Sequence, residues 1–104
     1  MPAALDVSTH QAGATSRVVV AGEIDLDNVE RLKLALRDAV ANGESIDLDL
    51  GRVTFLDSIG LRAIVEAWVA ASTKPFAIRR ASDHVRRVLD VAGLSETLGA
   101  AHSA

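Results

Sequence analysis

The sequence predicts an α/β domain, because segments with the alternation of strands are followed by segments with the periodicity of helices. Residues 4–9 and 45–50 alternate apolar and polar side chains, as half-buried strands do. Three other segments place apolar residues three or four positions apart, as helices with one buried face do. The predicted order is strand, strand, helix, strand, helix, strand, helix. Strands that alternate with helices pair in parallel through right-handed crossovers.

Composition narrows the class of protein. The 104 residues suit one domain spanning 1–104, and 49% of them are hydrophobic while aromatics make up 3%, so the core is aliphatic. A net charge of −3 gives no general attraction to nucleic acid, which we therefore do not expect as a partner. The absence of cysteine excludes disulfides and thiolate metal sites.

The ends and the hydropathy of the chain bear on localisation. The first residues lack the charged start and apolar run of a signal peptide. No apolar run approaches the ~20 residues that cross a bilayer. We therefore expect a cytoplasmic protein without direct membrane insertion.

The first two strands are predicted to form an antiparallel pair. Residues 11–16 have turn composition around Gly13, which predicts a hairpin loop of about six residues. In the second strand the run Val18-Val19-Val20 does not alternate, which is typical of a strand covered on both faces.

The first helix has its own start and stop signals. Asp27 stands three residues before Glu30, the spacing of a capping box. Leu34 falls opposite the apolar stripe and is expected to be exposed. Gly43 is expected to end the helix in the left-handed conformation. The predicted buried stripe is Val29, Leu32, Leu36 and Val40.

The last strand and helix are predicted over residues 75–79 and from Ser82 onward. Phe76 and Ile78 should point inward, and Ser82 should cap the helix. Gly93 and Leu94 should close it as in a Schellman motif. The predicted stripe is Val85, Val88, Leu89 and Ala92. Residues 95–104 are small and polar after Leu98, which predicts a partly frayed tail.

The segment 53–68, reading VTFLDSIGLRAIVEAW, organises the rest of the chain. Asp57 and Ser58 mark a helix start after strand-type residues, and the apolar residues that follow are Leu61, Ile64, Val65 and Trp68. A helix N-terminus carries free N–H groups and partial positive charge, so it tolerates a phosphate. Position alone favours an ordinary cap for Ser58; it also makes its hydroxyl a candidate for modification.

The motif FLDSIGL at 55–61 resembles the D-S-x-G-L signature of STAS domains, the fold of bacterial anti-sigma factor antagonists. The resemblance extends to GEID at 22–25, DLDL at 47–50 and VLDVAGL at 88–94. It covers nearly the whole chain in the family's order. It implies a single STAS-like domain with a mixed sheet of about four to five strands and helices mainly on one side.

The resemblance also implies the site residues. Ser58 corresponds to the phosphorylated serine of the family, and Asp25 and Asp57 match carboxylates beside it. From the residues alone, Asp25 is a turn or capping residue and Asp57 a cap. Many relatives have a second hydroxyl directly after the phosphorylated serine, where this chain has Ile59.

The helix after Ser58 presents a second face. At 100° per residue, Ile59, Arg62, Glu66 and Val69 point away from the predicted stripe, which suggests a partner-binding surface. Gly60 lies in the first turn, where glycine is unfavourable in a helix. Either a partner approaches closely at Gly60 or the strand–helix junction needs steric relief.

Two further features complete the survey. Arg79-Arg80 and Arg86-Arg87 form the one basic cluster, either a local patch or a solvated surface. His10, His84 and His102 lie in a strand, a helix and the tail, so no base is assigned to Ser58. The G-x-S-x-G and phosphate-loop motifs are absent, and no spacing suggests a metal site. We expect neither an enzyme nor a cofactor.

The resemblance implies an anti-sigma factor antagonist that acts in transcription regulation by partner switching. Unphosphorylated, it would bind an anti-sigma factor that is also a serine kinase and so release a sigma factor. That kinase would phosphorylate Ser58, and a PP2C-type phosphatase would restore it. Two alternatives are a stand-alone STAS docking subunit of a membrane transport or lipid-trafficking complex, and a scaffold of a stress-signalling complex.

Overall fold

Four strands and three helices follow in the predicted order in the computed structural model, which describes residues 4–99. They are β1 (Asp6–Ala12), β2 (Thr15–Ile24), α1 (Val29–Asn42), β3 (Ser45–Leu56), α2 (Ser58–Ala71), β4 (Phe76–Ala81) and α3 (Asp83–Ala92). The sheet order is β1-β2-β3-β4, with β1 antiparallel to β2 and the other pairs parallel. The mixed sheet expected from the sequence is therefore confirmed, with four strands in the part of the chain described.

The helices cover one face of this sheet. Val18 and Val20 are fully buried, whereas Val19 between them is half-buried. The prediction that this run is covered on both faces is therefore wrong. The other face carries charged pairs instead, such as Arg79 with Asp47, joined at 3.0 Å between Nε and Oδ1.

The β1–β2 hairpin is tighter than predicted. Ala12 pairs with Thr15, so only Gly13 and Ala14 connect the strands, and the predicted loop of six residues is wrong. Gly13 has a φ of 63°. Two-residue hairpin loops favour such positive φ values because their twist matches that of the strands.

The start and end of α1 depend on contacts that the local pattern does not reveal. The Asp27–Glu30 capping box does not form, and Asn28 occupies the cap position without a side-chain cap bond. Asp25 Oδ1 instead accepts hydrogen bonds from the backbone N–H groups of Asp27 and Asn28, at 3.0 and 3.1 Å. Gly43 is not left-handed, with φ −94°; a Cβ there would lie 2.6 Å from Ser16 Oγ. Leu34 is exposed, as predicted.

The C-terminal part closes the domain. Ser82 Oγ accepts from the Val85 N–H at 3.3 Å, and Gly93 ends α3 with φ 74°, as predicted. Leu98 is fully buried, and its carbonyl accepts from the Ile78 N–H at 2.7 Å along the free edge of β4. The predicted fraying is therefore wrong for residues 95–99, and the rest of the predicted tail lies outside the described residues.

The buried face of α2 is rotated from the predicted stripe. Its buried residues are Gly60, Ala63, Ile64 and Ala71. Leu61, Val65 and Trp68 are only half-buried. Small residues face inward because α2 lies against α1 as well as the sheet. No helix within residues 4–99 combines the length and apolar character that crossing a bilayer requires.

Candidate functional site

The parallel strands β2 and β3 end side by side. Ile24 and Leu56 are direct partners in the register. Asp25 and Asp57, which follow these two residues, therefore lie at the same edge of the sheet. This is the carboxyl edge, where open α/β sheets present their ligand and partner sites. Asp25 and the Asp57–Ser58 pair therefore lie along one edge of the sheet.

Asp57, and not Ser58, caps α2. Its Oδ1 accepts from the backbone N–H groups of Ile59 and Gly60, at 3.0 and 3.2 Å. Ser58 is the first helical residue and is exposed. Within residues 4–99 its hydroxyl makes no hydrogen bond, and its side chain is open to solvent.

Asp25 closes the β2–α1 turn. Besides accepting two backbone bonds through Oδ1, it donates its own N–H to Asn28 Oδ1 at 2.9 Å. The turn role expected from the residues alone is therefore confirmed. A role beside a phosphate on Ser58 remains a prediction from the resemblance.

Gly60 is buried beneath the Ser58 edge. A Cβ at this position would lie 2.5 Å from Leu56 Cδ1 and 2.8 Å from Ile24 Cγ2. Steric relief at the junction thus accounts for this glycine, and its contact with a partner remains a prediction.

The exposed face predicted for α2 is only partly correct. Ile59 is half-buried and packs against the core, so its expected exposure is wrong; α2 is rotated to admit Gly60 and Ala63. Arg62 and Glu66 are exposed and approach each other at 3.7 Å between Nε and Oε2. Val69 is 64% exposed. The exposed face of α2 therefore consists of the charged pair Arg62–Glu66 and the aliphatic residue Val69.

A groove between the start of α2 and α3 was not predicted. Its volume is about 450 Å³, and Ser58 lies on its lining. The other lining residues are Leu56, Asp57, Leu61, His84, Arg87, Val88, Val91 and Ala92. Val91 is 87% exposed. Ser58 therefore borders a largely aliphatic concave surface, which we call the Ser58 groove.

His84 approaches the same edge from α3. Its Nε2 lies 3.2 Å from the Leu56 carbonyl oxygen, and its ring stacks on Phe55 with 5.5 Å between ring centroids. A carbonyl oxygen only accepts, so Nε2 donates and is not available as a base toward Ser58. His84 thus joins α3 to the end of β3.

The sequence contained a weak signal for the groove. Val91 is apolar but lies outside the predicted α3 stripe, three positions after Val88. His84 and Arg87 carried no signal of proximity to Ser58, because their approach depends on how α3 packs against β3. Within residues 4–99, no group of three metal-ligating side chains comes together.

The fold and the site define a class: a small α/β domain that presents a free serine hydroxyl where a capped helix leaves the carboxyl edge of a mixed sheet. The family model described as "Mlab, STAS domain" matches residues 7–99. The chain belongs to the STAS domain family. No protein with a curated function matches the chain significantly.

Solved structures show the same architecture. An anti-sigma factor antagonist from Mycobacterium paratuberculosis is 26% identical, with a TM-score of 0.84, covering 91% of this chain and 83% of its own. SpoIIAA in its unphosphorylated form is 21% identical, with a TM-score of 0.76 and coverages of 88% and 84%. The Bacillus cell fate determinant SpoIIAA in its phosphorylated form is 20% identical, with a TM-score of 0.72 and coverages of 88% and 86%.

Proposed function

We propose that this protein is an anti-sigma factor antagonist whose binding to its anti-sigma factor is abolished by phosphorylation of Ser58. The observation that carries the proposal is the free, exposed Ser58 hydroxyl on the lining of an aliphatic groove. The M. paratuberculosis relative is an anti-sigma factor antagonist, and SpoIIAA exists in phosphorylated and unphosphorylated forms. Both likenesses support the proposal.

The geometry explains how one modification can act on binding and spare folding. Asp57 already accepts the N–H groups of Ile59 and Gly60, and its carbonyl accepts that of Leu61 at 3.0 Å. A phosphate on Ser58 would therefore replace no bond that holds the helix start. It would add about −1.5 to −2 charge beside the Asp57 carboxylate.

That charge would be costly only when a partner is bound. Free in solution, the phosphate is hydrated and favoured by the dipole of α2. A protein docked in the Ser58 groove would remove this water and leave two negative groups close together in an apolar interface. The modification thus weakens the complex much more than the fold.

The partners follow from this role. The anti-sigma factor is proposed to be a serine kinase that transfers phosphate from ATP to Ser58, and a PP2C-type phosphatase is proposed to remove it. The protein itself is a substrate, not an enzyme. His84, which reaches this edge, donates Nε2 to the Leu56 carbonyl, which agrees with this assignment.

A second candidate is a docking subunit of a membrane transport or lipid-trafficking complex. The Ser58 groove favours it as well, because Leu61, Val88 and Val91 would receive an apolar partner segment whether or not Ser58 is modified. In that case Ser58 would stay unphosphorylated in cells.

The test is to mix the purified protein with its candidate kinase and ATP and to map phosphate by mass spectrometry. We expect one phosphate, on Ser58, and none on a Ser58→Ala variant. Ser82 is the matched internal control, because its Oγ donates to Val53 O at 2.6 Å and caps α3. Phosphate elsewhere, or equal modification of Ser58→Ala, would contradict the proposal.

A further inference from the structure

A concave pocket lined by residues of β3, β4 and α3 collects four arginines. They are Arg52, Arg79, Arg80 and Arg86, and the other lining residues are Asp49, Gly51 and Ala81. The pocket volume is about 270 Å³. The basic cluster of the sequence is therefore divided, because Arg87 lies in the Ser58 groove while Arg52 joins the others.

A bulge in β3 precedes Arg52 and changes the direction of its side chain relative to strict alternation. Val19 pairs with Asp49 and Ala21 pairs with Arg52, so β3 contains one residue more than β2 over this interval. An extra residue re-aims the side chains that follow it. Gly51 and Arg52 are in consequence both exposed, where strict alternation would bury one of them.

A second bulge, in β4, adds two arginines. Leu48 pairs with Ile78, but the next residue, Asp49, pairs with Arg80, so Arg79 is the extra residue. Arg79 and Arg80 are both exposed and both line the pocket. Two irregularities of the sheet thus converge on one basic pocket.

The one acid in the lining, Asp49, is ion-paired with an arginine outside the pocket. Asp49 Oδ2 pairs with Arg17, outside the pocket, at 3.0 Å, and Oδ1 accepts from the Gly51 N–H at 3.0 Å. Both oxygens of this carboxylate are therefore engaged elsewhere than with the lining arginines.

Arg52, Arg79 and Arg80 keep N–H donors for a ligand. Arg79 contacts Asp47 through Nε, which leaves its two terminal nitrogens. In the chain from residue 4 to residue 99, Arg52 and Arg80 make no ion pair. The pocket thus offers at least two arginines without an ion pair, on a protein whose net charge is −3.

Its chemistry fits a compact, multiply charged anion. Arginine presents a planar fork of N–H donors that matches phosphate oxygens in pairs. No aromatic residue lines the pocket, so nothing there would stack on a nucleobase. We propose that the pocket binds a pyrophosphate group, either free or at the end of a small phosphate ester. This site is separate from the Ser58 groove and does not depend on the function proposed for it.

Calorimetric titration with sodium pyrophosphate at low ionic strength tests the site. Arg52→Gln and Arg80→Gln should each lower the affinity about tenfold or more, because each removes a charge-assisted pair of hydrogen bonds. Arg62→Gln makes the same change of charge on α2, outside the pocket, and should leave the affinity nearly unchanged. Sulfate, a single compact dianion, should bind at least about tenfold more weakly than pyrophosphate.

Amide NMR spectra locate the ligand, and thermal melts confirm that each variant is folded. Pyrophosphate should shift the Gly51 amide and leave that of Ser58 in place. If a nucleoside diphosphate binds with the same affinity as pyrophosphate, the pocket also accepts a pyrophosphate group that is esterified at one end. No binding at millimolar pyrophosphate, an equal loss in Arg62→Gln, or tighter binding of a phosphoserine peptide than of pyrophosphate would overturn the proposal.

Discussion

Ile24 at the end of β2 is the direct partner of Leu56 at the end of β3. Because of this pairing, the two following aspartates leave the sheet at one edge, and each holds the turn that starts a helix. The same pair lies beneath Gly60, so the packing of two aliphatic side chains sets where α2 begins. The position of Ser58 therefore rests on the core, not on a flexible loop.

The cap of α2 is open to a direct test. Asp57→Ala should lower the free energy of unfolding by about 1 kcal/mol, because it leaves the N–H groups of Ile59 and Gly60 without their acceptor. Asp57→Asn, which keeps a side-chain oxygen, is the matched control and should lose much less. Urea unfolding followed by circular dichroism measures both. Equal losses would mean that charge, and not the hydrogen bonds, holds the helix start.

Gly60 should resist even the smallest side chain. Gly60→Ala would gain up to about 1 kcal/mol from helix propensity. We nevertheless expect a net loss of about 1–3 kcal/mol, since the new methyl would lie 2.5 Å from Leu56 Cδ1. Chemical unfolding gives the sign. An increase in stability would show that the junction has room for a Cβ.

The rotation of α2 separates two residues that the sequence placed together. Ile59→Glu should cost about 1–3 kcal/mol, because it brings a carboxylate into a half-buried site packed against the core. Val69→Glu should stay within about 0.5 kcal/mol, as is usual for an exposed position. Thermal melts compare the variants. Equal stabilities of the two variants would support the sequence-based prediction that Ile59 and Val69 are both exposed.

This difference shows where sequence reasoning succeeds. The caps at Asp57 and Ser82 and the left-handed Gly93 were predicted because each depends on neighbours within a few residues. The buried face of α2 was predicted only at Ile64. The pattern favoured the more hydrophobic Leu61 and Trp68, whereas the helix buries the small residues Gly60 and Ala63.

Local competition among polar residues and contacts between distant segments account for the other errors. The capping box predicted at Asp27 does not form because Asp25 and Asn28 make a hydrogen-bonded turn instead. The sequence does not show which of these similar polar residues will form the turn. Arg52 was not grouped with Arg80 because a bulge leaves no mark in the alternation of a strand. Leu98 was assigned to a tail because the sequence does not show that its carbonyl accepts a hydrogen bond from Ile78 at the free edge of β4.

The Ser58 groove should be where the anti-sigma factor binds. Val91→Gln should weaken that complex about tenfold, because it removes an exposed aliphatic contact of the groove. Leu34→Gln changes an exposed aliphatic residue on α1, outside the groove, and should bind like the parent protein. Surface plasmon resonance with the immobilised partner compares the two. Equal binding by both variants would place the interface elsewhere.

The switch itself is tested most directly by titration calorimetry of the parent protein, Ser58→Ala and Ser58→Asp against the anti-sigma factor. Ser58→Asp should fold normally, since a carboxylate at a helix N-terminus gains about 0.3–1 kcal/mol from the dipole. Its affinity should fall about tenfold, because a second carboxylate beside Asp57 loses its water in the complex. Ser58→Ala should bind like the parent. Equal affinities for all three proteins, with unchanged thermal melts, would remove Ser58 from the interface and contradict the phosphorylation switch.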